Sequence, residues 1–512
     1  MNIQNITQPF IKQFSGDHSL DARQRQTPGF LYALVKPMDF PNSSLLHFNS
    51  SLSSEIGMGT VNDDDDFLSA QNLPTNVVTY ATAYAGHQFG NWAGQLGDGR
   101  AIFAGEISNA NAKSTELQWK GVGATPYSRH ADGRAVLRSS IREYLMSEAM
   151  HHLGVPTTRA LSLSLSGEMV VRDMMYDGNP EYEKGAIVMR TAQSFLRFGH
   201  FELLASRGEI DELKKLCDYT IARYFPEIQS EGKEKYVAWI KEVSKKTADL
   251  VCEWMRVGFV HGVLNTDNMS ILGLGIDYGP YSMLDQYDLN FTPNTTDLPG
   301  RRYAFGKQGQ IAQWNLWQLV NAVFPIIEDE SALQDILNDF SSYFWKQYDS
   351  MMLRKLGIDE LHNGDEDLIT ELTGILQDLQ FDYTLFFTEL ERYRVDANFH
   401  WNWDEISYKR ISDLEIERFK TFLKTYQERL EKNGVSKEES LSLMQQSNPK
   451  FTLRNYLLFQ CIEEVNSGHI TLFSKLWDAL QNPYQEVYPE FSKRRPFGFD
   501  DQPGCSTLSC SS

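Results

Sequence analysis

The chain has 512 residues, 41% hydrophobic and 23% charged, which suits a soluble globular protein of about two to four structural units. Its net charge is −20, with 48 Lys and Arg against 68 Asp and Glu, a balance that argues against nucleic acid and against docking on anionic membranes. No stretch approaches the roughly 18 apolar residues of a membrane span, Asp17 and Asp21 sit where a secretory or mitochondrial leader would avoid acids, and five cysteines in this length make no disulfide framework, so a cytoplasmic protein is expected.

Residues 1–75 read as an N-terminal extension of short irregular pieces, with an acidic run, Asp63–Asp66, as a solvated loop. Residues 76–200 are dense in Gly, Arg and β-favouring stretches; Thr115–Lys120 and Ala160–Leu165 read as strands. Between them Leu137–Leu153 reads as a helix, stopped by Gly154 and Pro156. Residues 201–310 begin with two helical patterns, Glu209–Phe225 and Tyr236–Trp254, and then hold a compact polar patch, His261–Asp285. Residues 311–495 are helical and aromatic, and 496–512 form a flexible, Cys-containing tail. The expected class is α+β: a β-rich lobe, a helical lobe with a site between them, and a further C-terminal helical region.

Lys120 ends an apolar strand and is followed by Gly121-Val122-Gly123, so its charge can enter a cleft from a rigid element and meet phosphate oxygens. The next helix carries Glu143 and Glu148, either of which could pair with it. Ile141, Leu145, Ala149 and Leu153 form the apolar stripe; Glu148 lies at its edge and Glu143 away from it, so the wheel does not choose. Gly97-Asp98-Gly99-Arg100 and Asp132-Gly133-Arg134 are turns whose backbone N–H groups and guanidinium suit an anion. His261 and Asn268 keep the seven-residue spacing of the kinase His-Arg-Asp-x-x-x-x-Asn loop, and Asp277-Tyr278-Gly279 follows nine residues after Asn268. Asn268 and Asp277 supply the two oxygens that a phosphate-bound Mg²⁺ asks of a protein.

The kinase loop places its base two residues after the His; here that residue is Val263. Either the chain is catalytically silent, or its chemistry is arranged differently with Asp267 as base.

These residues, with Tyr84–Gly90, Pro126–Arg129, Asp132–Glu143, Pro156–Leu161, Arg197–Glu202 and His261–Tyr281, resemble the selenoprotein O family, known in bacteria as YdiU. The resemblance implies a protein-kinase-like bilobal fold that transfers AMP from ATP, or UMP from UTP, to Ser, Thr or Tyr hydroxyls of proteins, with Mg²⁺ or Mn²⁺. The nucleotide would lie flipped, so that the α-phosphate meets the acceptor. Carried over by motif, Lys120 and Glu143 are the ion pair; Gly97, Gly99, Arg100, Asp132, Gly133, Arg190 and Arg197 contact the nucleotide. Asp267 is the proton acceptor, and Asn268 and Asp277 hold the metal. Cys510 stands where eukaryotic members carry selenocysteine, with Cys505 close enough for a local disulfide. A monomer acting on protein substrates is expected; a γ-phosphate kinase and a nucleotide-binding scaffold are the competing readings.

Overall fold

The computed structural model describes residues 1–60, 66–396, 398–500, 502–505 and 507–509. Asp63–Asp65 of the acidic run and Cys510 lie outside the described residues.

A nine-stranded sheet gathers the β-rich part of the chain. Its order is Gly16–Asp17, Tyr32–Leu34, Tyr80–Thr82, Ala101–Ser108, Ser114–Lys120, Glu181–Ala192, Arg159–Arg172 and Ser44–Phe48, with Ala135–Val136 paired beside Glu181–Ala192. The first pairing is parallel and the others are antiparallel. Three of these strands come from residues 1–75. They are two to five residues long, too short for period-two alternation to mark them in a sequence.

Alternation along Ser114–Lys120 sorts the two faces of the sheet. Leu117 and Trp119 enter one core with Ile102, Ile187 and Met189, and the Trp119 indole N–H donates to the Phe67 carbonyl at 2.8 Å. Glu116, Gln118 and Lys120 therefore face the other way. On that side lies the helix Leu137–His152, ended by Gly154 in the left-handed region at φ +81°. It is covered on its far side by Asn455–Asn466 and Thr471–Gln481, with Tyr144 stacked on Trp477 at 5.4 Å. Glu143 and Glu148 are consequently both buried, which is why a single apolar stripe could not separate them.

From Phe198 onward the chain is mostly helical. The helix Gly232–Val257 ends at Gly258, φ +76°, and delivers the two-residue strand Phe259–Val260. This strand pairs with Ser282–Met283 and closes the polar loop 261–281 at its base. Cys505 and Leu508 of the tail are packed against this region. Leu508 and Asn294 form a parallel bridge (Leu508 N–H to Pro293 O 3.1 Å, Thr295 N–H to Leu508 O 2.8 Å), and the Cys505 carbonyl accepts from Asn455 Nδ2 at 3.1 Å. Cys505 and Leu508 are buried. Among the described residues no helix is long and apolar enough to cross a membrane.

The C-terminal helices are joined to the loop region by a buried charge cluster. Arg454 makes a two-pronged pair with Asp382 (2.6 and 2.8 Å) and also reaches Asp285 at 2.9 Å. Arg454→Met leaves Asp382 buried and unpaired, a loss expected to cost about 3–5 kcal/mol. A correspondingly earlier urea denaturation midpoint, followed by circular dichroism, is the expected result.

Candidate active site

The face of the sheet that carries Lys120 meets the helix and the polar loop in a continuous chain of charges. Lys120 Nζ lies 2.5 Å from Glu143 Oε2. Glu143 Oε1 accepts from Arg190 Nη1 at 2.8 Å, and the same nitrogen is 2.5 Å from Asp277 Oδ1. The other Asp277 oxygen pairs with Arg197 Nη1, which also donates to the Asp267 carbonyl at 2.9 Å. Arg190 Nη2 donates to Gln118 Oε1, its cross-strand partner. Glu148 belongs to a different cluster, with Arg159 at 2.6 Å and Asn49 at 2.7 Å.

Burial pushes the Lys120 ammonium down to about 8, against the opposing pull of Glu143. Burial also raises the Asp277 carboxyl, but Arg197, Arg190 and Lys120 together hold it well below the usual carboxylate range. Glu143 likewise sits low, because Lys120 and Arg190 outweigh the effect of its burial. Both carboxylates are therefore ionised at neutral pH.

The turn Gly97–Arg100 runs directly into the strand Ala101–Ser108, whose first residue is the register partner of Lys120. A Cβ on Gly97 would stand 2.5 Å from the Tyr127 ring, and one on Gly99 would stand 2.9 Å from the Tyr127 carbonyl, so only glycine fits either place. Asp98 is buried in this turn and accepts from the Thr82 N–H at 2.9 Å and the Thr82 hydroxyl at 2.5 Å. The Gly133 turn closes on the segment just after Lys120: Gly123 N–H donates to Gly133 O at 3.2 Å. Gly97, Gly99, Arg100 and Gly133 thus gather around the end of the lysine strand. The Asp132 carboxylate lies at the rim and is engaged by Arg172 at 2.7 and 3.0 Å.

In the polar loop, His261 is an internal tie, with Nε2 against the Ile276 carbonyl at 2.9 Å and its N–H on Gln308 Oε1 at 3.1 Å. Asn268 Nδ2 donates to the Val263 carbonyl at 2.8 Å, which leaves Oδ1 as the free arm of the amide. Asp277 adopts φ +54°, an uncommon backbone for a non-glycine residue that presents its carboxylate to both arginines. Two hard oxygen donors, the Asn268 amide and an ionised Asp277, fit a Mg²⁺ or Mn²⁺ ion whose remaining ligands come from phosphate and water. No group of three or more His, Cys, Asp or Glu that could hold a metal occurs among the described residues.

Asp267 behaves differently from Asp277. Its Oδ2 accepts from Gln88 Nε2 at 3.2 Å, while its buried Oδ1 has no hydrogen-bond partner among the described residues. Burial pushes this carboxyl up to about 6. Three side chains of the site carry no role in the motifs: Gln88, Gln118 and Asn265. Gln118 was readable as the residue two before Lys120 on the same strand face. The position of Gln88 depends on a hairpin that meets the loop only in three dimensions.

The model of the family described as protein adenylyltransferase SelO matches residues 19–481. A protein nucleotidyltransferase YdiU of Cytophaga hutchinsonii is 46% identical over 512 residues, covering 99% of this chain and 98% of its own length. Proteins of the same description from Flavobacterium johnsoniae (45% identical, 99% of each chain) and Azoarcus sp. strain BH72 (46% identical, 98% of each chain) are equally similar.

Glu143→Gln removes the charge that keeps Lys120 protonated in its buried setting, so the lysine loses its proton at lower pH than in the parent. ATP affinity measured calorimetrically between pH 6.5 and 8.5 is expected to fall with rising pH more steeply, and from a lower pH, than for the unaltered chain.

Proposed function

Because the chain belongs to the SelO family of protein adenylyltransferases, we propose that it transfers AMP from ATP to Ser, Thr or Tyr hydroxyls of other proteins and releases pyrophosphate. The observation that carries this reading is the pairing of a full phosphate- and metal-binding set with Val263 at the position of the kinase base. A γ-phosphate kinase would need an acid there. A silent scaffold would need neither Asn268 nor Asp277 beside the Lys120–Glu143 pair.

In this reading the fold is kinase-like and bilobal, with residues 76–200 as the β-rich lobe, 201–310 as the helical lobe and 311–495 packed behind as a further helical region. ATP lies flipped, with its phosphates among Lys120, Arg190 and Arg197, and Gly97, Gly99, Arg100, Asp132 and Gly133 lining its other parts. The acceptor oxygen attacks the α-phosphorus, the bond to the β-phosphate oxygen breaks, and the hydroxyl proton passes to Asp267. Charge grows on the departing pyrophosphate, where the three cations stabilise it. Asn268 and Asp277 hold Mg²⁺ or Mn²⁺, which when bound shares that neutralisation. The free, buried cysteines Cys217, Cys252, Cys461 and Cys505 suit a reducing cytoplasm. The acidic surface favours protein targets with basic patches, met by a monomer.

Protein extract incubated with the chain and ATP labelled on the α- or the γ-phosphate tests this directly, with labelled UTP as a parallel arm for nucleotide choice. Label is expected on protein from the α position alone, and none with Asp277→Ala; label from the γ position alone would make the chain a kinase. Asp267→Asn is expected to cost about 10²–10⁴-fold in turnover. Since Asp267 accepts a proton only when ionised, kcat/KM should rise with pH through about 6 and, as Lys120 loses its proton, decline through about 8.

A further inference from the structure

The carboxylate of Asp267 is held from outside its own loop. The hairpin Ala85–Gln88 and Asn91–Gln95 crosses from the sheet region and fastens to the polar loop along successive residues. His87 N–H donates to Thr266 Oγ1 at 2.7 Å, and Phe89 N–H donates to Asn265 Oδ1 at 3.2 Å and to the Tyr303 hydroxyl at 2.9 Å. The Tyr303 hydroxyl donates in turn to Asn265 Oδ1 at 2.5 Å. His87 Nδ1 lies 2.7 Å from Glu202 Oε1 and so ties the hairpin to the helix Phe198–Ser206. Within this frame Gln88 Nε2 reaches Asp267 Oδ2 at 3.2 Å. Gly86 packs so closely that a Cβ there would stand 2.8 Å from Asp267 Oδ1 and 2.9 Å from its Cβ.

We infer that Gln88 is a positioning residue for the base: its amide fixes one oxygen of Asp267 so that Oδ1 alone faces the acceptor hydroxyl, and Gly86 leaves the room that this orientation requires. The inference deepens the proposed reaction and rests on Asp267 being its proton acceptor. It accounts for two observations together, the single anchored oxygen and the unpartnered one. A carboxylate anchored at one oxygen keeps a fixed direction, whereas one held at neither would rotate away from attack geometry. Losing the Gln88 donor must therefore cost turnover while ATP, held by other residues, binds as before, a split that a general loss of structure would not give.

The test compares Gln88→Ala, Gln88→Glu and Asp267→Asn in the full chain, using α-labelled ATP and one protein acceptor. ATP affinity and melting temperature serve as controls for folding and nucleotide binding. Gln88→Ala is expected to lower kcat about tenfold to a hundredfold with ATP affinity and melting temperature unchanged. Gln88→Glu, which replaces the amide donor by a like charge beside the base, is expected to lower kcat further. A parent-like kcat in both Gln88 variants, with Asp267→Asn inactive, would overturn the role of Gln88 while leaving the base in place. Full activity of Asp267→Asn would instead remove the base, and the positioning role with it.

Discussion

Arg190 stands between a carboxylate on a helix and a carboxylate on a loop, and the architecture around it serves to keep all three together. Glu143 and Asp277 share this guanidinium, with Lys120 on one flank and Arg197 on the other. Removing such charges from water costs several kcal/mol per ion, and only close, well-oriented partners repay it. The cluster therefore forms only if strand, helix and loop arrive within hydrogen-bond distance at once. The core around Trp119 holds the strand from one side. From the other, Arg142, the residue before Glu143, donates to the Tyr281 carbonyl at 2.8 Å and receives the Tyr281 hydroxyl on its own carbonyl at 2.8 Å. Helix and polar loop are tied at two adjoining points and cannot shift independently.

The same constraint divides the acidic residues by task. Asp277 and Asp267 both belong to the polar loop and both are buried, yet their environments drive them in opposite directions. Three cations keep Asp277 ionised, as suits the metal ligand proposed for this position. Asp267 has one amide donor, an oxygen with no partner among the described residues and a carboxyl raised by burial, as suits the proton acceptor proposed for it. Carboxylates whose surroundings push them apart in this way mark distinct chemical roles.

The parts of the site that lie close together in the chain were legible early. The strand ending at Lys120, the helix with its acids and the His261–Asp277 spacing rest on local periodicity and motif, and the elements appear within a residue or two of their expected bounds, apart from the longer strand Arg159–Arg172 and the longer helix Gly232–Val257. The short strands of residues 1–75 were not legible, because two to five residues carry no period. The choice between Glu143 and Glu148 needed the resemblance, because helices cover the far face of that segment and bury both acids. The packed Cys505 and Leu508 were hidden by a composition rich in Gly, Pro and Ser, which describes chain stiffness and not the partners a segment finds.

The amino-acid order by itself determined the chemical inventory: a lysine at the end of a strand, paired acids on a helix, Asn268 and Asp277 at metal-binding spacing, and Val263 where a kinase would place its base. Only the tertiary structure decided who meets whom. Arg190 chooses Gln118 by strand register and Glu143 by helix docking, and Gln88 reaches Asp267 across 179 positions of chain. Side-chain type and local period are written residue by residue, whereas a contact between distant segments depends on how every intervening element packs.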